Sequence, residues 1–153
     1  MICESISTKV RINRKLLRDT LDVCEGLIRK VLNKNNKYDH SNLKYNASYI
    51  SLEASNIKSI KTRAETLKLT HREHAIPLKI LIEILEKKND LTVSSLYDFL
   101  EKNLISVLIT KEECEKLDFG EFNLKSSMPE NWDFNNKFAR FEALNIEVKK
   151  SDT

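Results

Sequence analysis

The sequence predicts a mostly α-helical domain of the α+β class that contains one small β element. Apolar residues recur at three- and four-residue spacing over long stretches, as they do on the buried face of a helix. Gly and Pro number only 2 each among the 153 residues, which is too few for the frequent turns of a β-sandwich or β-barrel. We expect one domain covering residues 1–153, because a chain of this length can bury a core of its own.

Residues 1–68 are predicted to form a basic helical hairpin. Asn13 is placed to cap a first helix over residues 14–33, whose apolar positions keep the helical spacing. The polar, Asn-rich residues 33–46 predict a loop, and a second apolar stripe predicts a helix over residues 49–67. Two helices joined in this way can pack as an antiparallel pair.

The next two helices are predicted from local start signals. Pro77 suits the first turn of a helix over residues 78–88, because a missing N–H costs nothing there. A further helix over residues 92–103 follows, with Ser95 and Asp98 spaced as a capping box.

The best strand candidate is the β-branched apolar run ISVLI at residues 105–109. We expect this strand to pair with residues 74–76 or with residues 146–148. Thr110 and Glu113 follow it with the spacing of a second capping box, which predicts a helix that begins directly after the strand. We therefore expect the domain to consist of three parts: the helical hairpin at the front, a central site region and a C-terminal lid.

The central site region covers residues 69–119, and the lid covers residues 120–153. Beyond Gly120 the sequence lacks a sustained helical or strand pattern, so we expect irregular structure there. A short helix near residues 136–144 is the exception.

The net charge of the chain excludes few classes of function. The 26 Lys and Arg residues exceed the 23 Asp and Glu residues by a mild net +3, which does not demand a nucleic-acid partner. The excess lies in the front half, where a DNA or RNA phosphate backbone could bind. The candidate nucleic-acid-binding residues are Arg14, Lys15, Arg18, Lys61, Arg63 and Arg72. A solvated helix surface explains the same charges, so both interpretations stay open.

Cysteine usage and hydropathy indicate a cytoplasmic protein without a membrane partner. The three cysteines Cys3, Cys24 and Cys114 are odd in number and none is at Cys-x-x-Cys spacing, which argues against a disulfide framework or zinc knuckle. No apolar run approaches the roughly 18 residues of a membrane span. Nearly a third of the residues are Lys, Ile or Asn, a composition that AT-rich coding DNA produces and that is typical of phages and mobile elements.

One short segment carries a pattern with chemical meaning. His71, Glu73 and His74 lie within four residues, directly before an Ile-Pro-Leu run. A carboxylate beside a histidine can ligate a divalent metal or orient the imidazole, and the imidazole can act as a general base near neutral pH. On an extended backbone Glu73 and His74 would point to opposite faces, so serving one site would need a twist or a bend.

The segment Glu-His-Ala-Ile-Pro-Leu, residues 73–78, resembles the opening of the HNH (ββα-metal) nuclease motif. In that family the histidine activates water for attack on a phosphodiester, and the acidic residue shares a metal with a residue on a later helix. The predicted strand at 105–109 and the helix after it have the same strand-then-helix order. The resemblance therefore implies a small metal-dependent nuclease or a degenerate relative of one.

Carried over by position, the resemblance makes His74 the catalytic base and Glu73 a metal ligand. Glu112, Glu113 or Cys114 would occupy the place of the helix ligand, and His71 would support the site. The implied cofactor is a divalent metal such as Mg²⁺. The chain departs from the family pattern in three respects. No His or Asn follows at the helix position that usually completes the site, helices are predicted between the two halves where the family has a loop, and the zinc-knuckle cysteines of many members are absent.

Structural roles are the alternatives for these residues. Thr70 and Glu73 also have the spacing of a capping box, and His74 could be a buried, hydrogen-bonded histidine. Glu112 and Glu113 could simply complement the N-terminal end of a helix dipole. The alternative function is a non-catalytic protein-binding regulator, such as an antitoxin, an anti-defence factor or another phage or mobile-element protein, with a host or cognate protein as its partner.

Overall fold

The computed structural model of the chain describes residues 39–89 and 91–152, together with Thr20, Leu21, Cys24 and Asn35. Thr20, Leu21 and Cys24 are helical. The rest of the predicted helix over 14–33 lies outside the described residues. The candidate nucleic-acid contacts Arg14, Lys15 and Arg18 lie there too.

Residues 39–89 and 91–152 form seven helices and one four-stranded mixed sheet, which confirms the α+β class. The helices are α1 (His40–Tyr45), α2 (Leu52–Ile60), α3 (Arg63–Leu69), α4 (Leu78–Glu86), α5 (Val93–Asn103), α6 (Lys111–Phe119) and α7 (Ala139–Glu142). The strands are β1 (Tyr49–Ser51), β2 (Thr70–His74), β3 (Ser106–Thr110) and β4 (Val148–Lys150). Their order in the sheet is β2-β3-β1-β4.

Strand β3 is one of the two inner strands of the sheet, and all five of its residues are buried. It pairs antiparallel with β2 and parallel with β1, while β4 pairs antiparallel with the other edge of β1. Such burial on both faces explains why the strand reads as a continuous apolar run rather than an alternating one. Of the two predicted partner segments, residues 74–76 are confirmed in part, because His74 pairs with Ser106 and the Ala75 N–H donates to the Ile105 carbonyl. The strand itself begins earlier, at Thr70. Residues 148–150 pair with β1 and not with β3.

Predictions from local signals are confirmed in this central part. Helix α4 follows Pro77, and helix α5 and strand β3 cover the predicted stretches. Thr110 and Glu113 form the predicted capping box at the start of α6. The cap of α5 is the exception, because the Thr92 hydroxyl accepts the Ser95 N–H and the helix begins one turn earlier than the predicted box.

Three predictions in the front half are wrong, two of them because tertiary pairing overrides local pattern and one because a local helix cap was overlooked. Residues 49–51 are a strand held between β3 and β4, so the predicted helix over 49–67 is divided into β1, α2 and α3. The predicted loop over 33–46 contains α1, which Asp39 caps. Thr70 opens a strand instead of capping the N-terminus of a following helix, because its backbone pairs with Thr110.

Three apolar clusters hold these elements together. The first joins Ile76, α4 and α5 and includes Leu21. The second packs Val107 and Ile109 of β3 against Leu117 of α6 and Phe141 of α7. The third packs Leu108 of β3 against residues of β1 and α2. Strand β3 thus presents alternate residues to two different clusters, as a central strand does, and α6 covers the face that carries Val107 and Ile109.

Candidate metal centre

The register of strand β2 directs two of its side chains toward helix α6. In the antiparallel pair with β3, His71 lies opposite Ile109 and Glu73 lies opposite Val107. Opposite residues of an antiparallel pair share a face of the sheet. Since Val107 and Ile109 pack beneath α6, where Cys114 joins the same cluster, His71 and Glu73 belong to the face that α6 covers.

Three potential metal-ligating atoms meet where β2 and α6 face each other. One donor atom each from His71, Glu73 and Cys114 lies within 4.8 Å of the other two. His71 Nε2 is 3.7 Å from Glu73 Oε2. They line a cavity of about 340 Å³, together with His74, Lys79, Asp118 and Lys125 among others. The cavity is large enough to admit water and a small chemical group beside the three donors.

Helix geometry brings a second acidic residue to this cavity. Asp118 is four residues after Cys114 in α6, so the two side chains share one side of the helix. The Asp118 carboxylate accepts a hydrogen bond from Lys125 Nζ at 3.1 Å. Because the Lys125 side chain is largely exposed, this ion pair is weak and its lysine can move to another anion.

A buried arginine holds Glu73 in place from behind. Arg140 of α7 is 0% exposed, and its Nη2 donates to Glu73 Oε1 at 2.5 Å. Its other hydrogen bonds go to backbone carbonyls of Ala75, Leu124, Lys125 and His74. These bonds occupy all of the guanidinium donors, so the side chain cannot turn away without leaving buried groups unpaired. Glu73 Oε1 is therefore committed to Arg140, while Oε2 faces His71.

Burial sets the protonation states of the two other donors. It raises the pKa of the Cys114 thiol to about 11, with smaller contributions from the negative charges of Asp118 and Glu73. It lowers the pKa of His71, an effect that the Glu73 charge opposes and that Lys44 reinforces. Near neutral pH the imidazole of His71 is thus mainly in the uncharged form that binds metals. At the same pH Cys114 is a thiol.

His74, the predicted base, lines the same cavity. Its backbone N–H donates to Glu73 Oε1 at 3.2 Å, and its carbonyl accepts from Arg140. His74 ends strand β2, and residues 75–76 form the bend that leads to Pro77. His71, Glu73 and His74 therefore all line the same cavity.

Glu112 and Glu113 lie elsewhere. The Glu113 carboxylate is buried and accepts hydrogen bonds from Ser51 Oγ at 2.6 Å and from the Thr110 N–H at 2.8 Å. Both glutamates line a second cavity of about 510 Å³ on the β1 side of the sheet, and its lining shares no residue with the cavity of His71. The structure does not bring either one to Glu73, and of the three candidates for the helix ligand only Cys114 reaches it.

Three of the six candidate nucleic-acid-binding residues are among the described residues, and these three are dispersed. Arg63 donates to Asn42 Oδ1 and stacks over the Tyr45 ring, 5.1 Å from its centroid. Lys61 is exposed, and Arg72 lies between His71 and Glu73 on the alternate face of β2. None of these three lines the cavity of His71, whereas Lys79 and Lys125 do.

Sequence reasoning missed Asp118, Lys125 and Arg140. The four-residue spacing of Cys114 and Asp118 on a predicted helix was an available signal. The two-residue spacing of His71 and Glu73 would have been a second signal if the segment had been interpreted as a strand. Arg140 is 67 residues from Glu73, and no local pattern connects them.

Comparison of the chain with protein-family models, with curated proteins and with solved structures finds no match. Among the described residues, none of the helices is both long and apolar enough to cross a membrane.

Proposed function

We propose that this chain is a metal-dependent hydrolase of nucleic-acid phosphodiesters, with its ion held by His71, Glu73 and Cys114. The observation that supports the proposal is the convergence of three ligand atoms within 4.8 Å beside a cavity of about 340 Å³. Three protein ligands leave one position for water or substrate, as in catalytic sites, whereas structural sites close all four.

The donor positions fit an ion. Tetrahedral coordination with bond lengths of about 2.0–2.3 Å places ligand atoms roughly 3.3–3.8 Å apart, so donors that lie within 4.8 Å of one another need to approach by no more than about 1.5 Å. His71 can supply this movement, because its side chain is 51% exposed. When bound, the ion would polarise a phosphodiester oxygen and lower the pKa of a coordinated water.

The remaining roles fall to residues of the same cavity. His74 is the general base of this proposal, taking the proton of the attacking water. Lys79 and Lys125 are the cations that would contact phosphate, and Lys125 would then leave its two partners, the Asp118 carboxylate and the Phe119 ring. Arg140 keeps the Glu73 carboxylate in position.

The experiment is a cleavage assay on ion-depleted protein with Zn²⁺, Mn²⁺ or Mg²⁺ restored, using plasmid, single-stranded DNA and RNA. Wild type should cleave at least one of these substrates in the presence of an ion, and chelation should stop cleavage. His74→Ala should slow cleavage about 10²–10⁴-fold, the usual contribution of a general base. His40→Ala, in which an exposed histidine on α1 is removed, is the matched control and should retain activity. Equal rates in wild type and His74→Ala, or no cleavage by protein that has bound its ion, would contradict the proposal.

A second candidate is the non-catalytic regulator that binds a host or cognate protein. The observation that favours it is a pair of exposed aromatic side chains at and beyond the end of α6, Phe119 at 81% and Phe122 at 56%. Aromatic side chains such as Phe are enriched in protein–protein interfaces relative to the rest of a protein surface. This candidate predicts that the double variant Phe119→Ser/Phe122→Ser abolishes the biological effect while His74→Ala retains it, and the hydrolase proposal predicts the reverse.

A further inference from the structure

We infer that the ion of this site is a borderline-soft transition metal of the zinc type, selected against Mg²⁺ by the sulfur of Cys114. The inference rests on the proposed site and names its cofactor. It replaces the Mg²⁺ that the family resemblance implies.

The donor set carries the argument. Mg²⁺ requires near-octahedral oxygen coordination and dehydrates reluctantly. Here only one of the three converging donors, Glu73, offers oxygen, while His71 offers nitrogen and Cys114 offers sulfur. Mixed nitrogen, oxygen and sulfur ligands in a tetrahedral arrangement suit Zn²⁺ and its close analogue Co²⁺.

The surroundings of Glu73 also favour a low coordination number. Since Oε1 is engaged by Arg140, only Oε2 is free to ligate, and the carboxylate binds through one oxygen. Asp118 is paired with Lys125 at the rim of the same cavity. The hydrogen-bonded partner of a ligating carboxylate is the usual outer-shell support of a metal site, which makes Arg140 a positioning residue for Glu73.

Charge balance is compatible with a divalent ion. In the ion-free site the charges of Glu73 and Asp118 are offset by Arg140 and Lys125, and Cys114 carries its proton. Binding of M²⁺ displaces that proton from the sulfur to solvent, so a metal–sulfur bond replaces the S–H bond and no oxidation or reduction takes place. The local charge then rises by only one unit.

The test is a titration of the ion-depleted full chain with Co²⁺, followed by its visible and near-ultraviolet absorption. We expect one equivalent to bind, with a thiolate-to-cobalt charge-transfer band and the intense visible bands of tetrahedral cobalt. Added Zn²⁺ should displace Co²⁺, and a large excess of Mg²⁺ should not.

Two matched pairs of variants assign the ligands. Cys114→Ser should abolish the charge-transfer band, and Cys24→Ser, which removes the other described cysteine, should retain it. His71→Ala should weaken Co²⁺ binding at least tenfold, and His40→Ala should not. Cys114→Ala repeats the test with an apolar replacement, and circular dichroism verifies that each variant is folded.

A cobalt spectrum without charge transfer, a band unchanged in Cys114→Ser, or displacement of Co²⁺ by Mg²⁺ would overturn the inference. Failure of the proposed function has a different signature. Protein that shows the thiolate band but cleaves nothing supports the ion and removes the hydrolase, whereas Mg²⁺-supported cleavage without the band does the opposite.

Discussion

The guanidinium of Arg140 and the carboxylate of Glu73 form an ion pair of 2.5 Å that joins the C-terminal part of the chain to the end of strand β2. The arginine is fully buried and Glu73 is 18% exposed. One carboxylate thus both neutralises a buried cation and presents its second oxygen to His71. The stability of the fold and the geometry of the candidate metal centre depend on the same side chain.

Loss of the Glu73 charge should destabilise the protein strongly. Removing one partner of a buried ion pair leaves an uncompensated charge and costs about 3–5 kcal/mol. We therefore expect Glu73→Ala to lower the free energy of unfolding by about that amount, and Glu73→Gln by less, because an acceptor for Arg140 remains. Urea denaturation measures both. Exposed Glu112→Ala is the control, and a Glu73→Ala protein as stable as this control would show that the ion pair contributes little.

Substitutions of the two glutamates in the first turn of α6 should distinguish a structural role from a metal-ligand role. Glu113 is buried with two hydrogen bonds, whereas Glu112 is exposed. Both lie in the first turn of α6, where a negative charge interacts favourably with the helix dipole. Glu112→Gln should therefore lower the free energy of unfolding by less than about 1 kcal/mol. Glu113→Gln should cost about 1–3 kcal/mol more through its buried partners.

Neither substitution should change Co²⁺ affinity, because both side chains line the other cavity. If Glu113→Gln or Glu112→Gln weakened Co²⁺ binding tenfold, these residues would be ligands after all, as the family resemblance implied.

Much of the fold was predictable because its signals are local. Strand β3 has a β-branched apolar run, and α6 begins at a capping box whose residues are three apart. No local signal of this kind predicts strands β1 and β2. Residues 49–51 are extended because they pair with residues 107–108 and 148–150, which are distant in sequence. A pattern within the segment cannot reveal such partners.

The candidate site was predictable only in part, for the same reason. Three neighbouring residues at the start of α6 could each have been the helix ligand, and their direction depends on how α6 crosses the sheet. That crossing directs Glu113 toward Ser51 and Cys114 toward Glu73. The register of β2 then determines that His71 joins them. Sequence spacing alone contains neither piece of information.

Ion binding should stabilise the folded protein. At a free Zn²⁺ concentration of one hundred times Kd the gain is about 2.7 kcal/mol, which raises the Tm of a domain of this size by about 5–10 °C. Calorimetry of the ion-free and Zn²⁺-loaded chain measures the shift. His71→Ala and Cys114→Ser should lose most of it and His40→Ala should keep it. An equal Tm shift in wild type and Cys114→Ser would place the stabilising ion at some other site.

X-ray absorption at the zinc edge of the Zn²⁺-loaded protein tests the central claim most directly, since it measures the ligands of the ion without reference to activity. Our account predicts one sulfur at about 2.3 Å and nitrogen or oxygen neighbours at about 2.0–2.2 Å, with the sulfur absent in Cys114→Ser. A first shell made of oxygen and nitrogen alone in the wild-type protein, or one with two or more sulfurs, would contradict it.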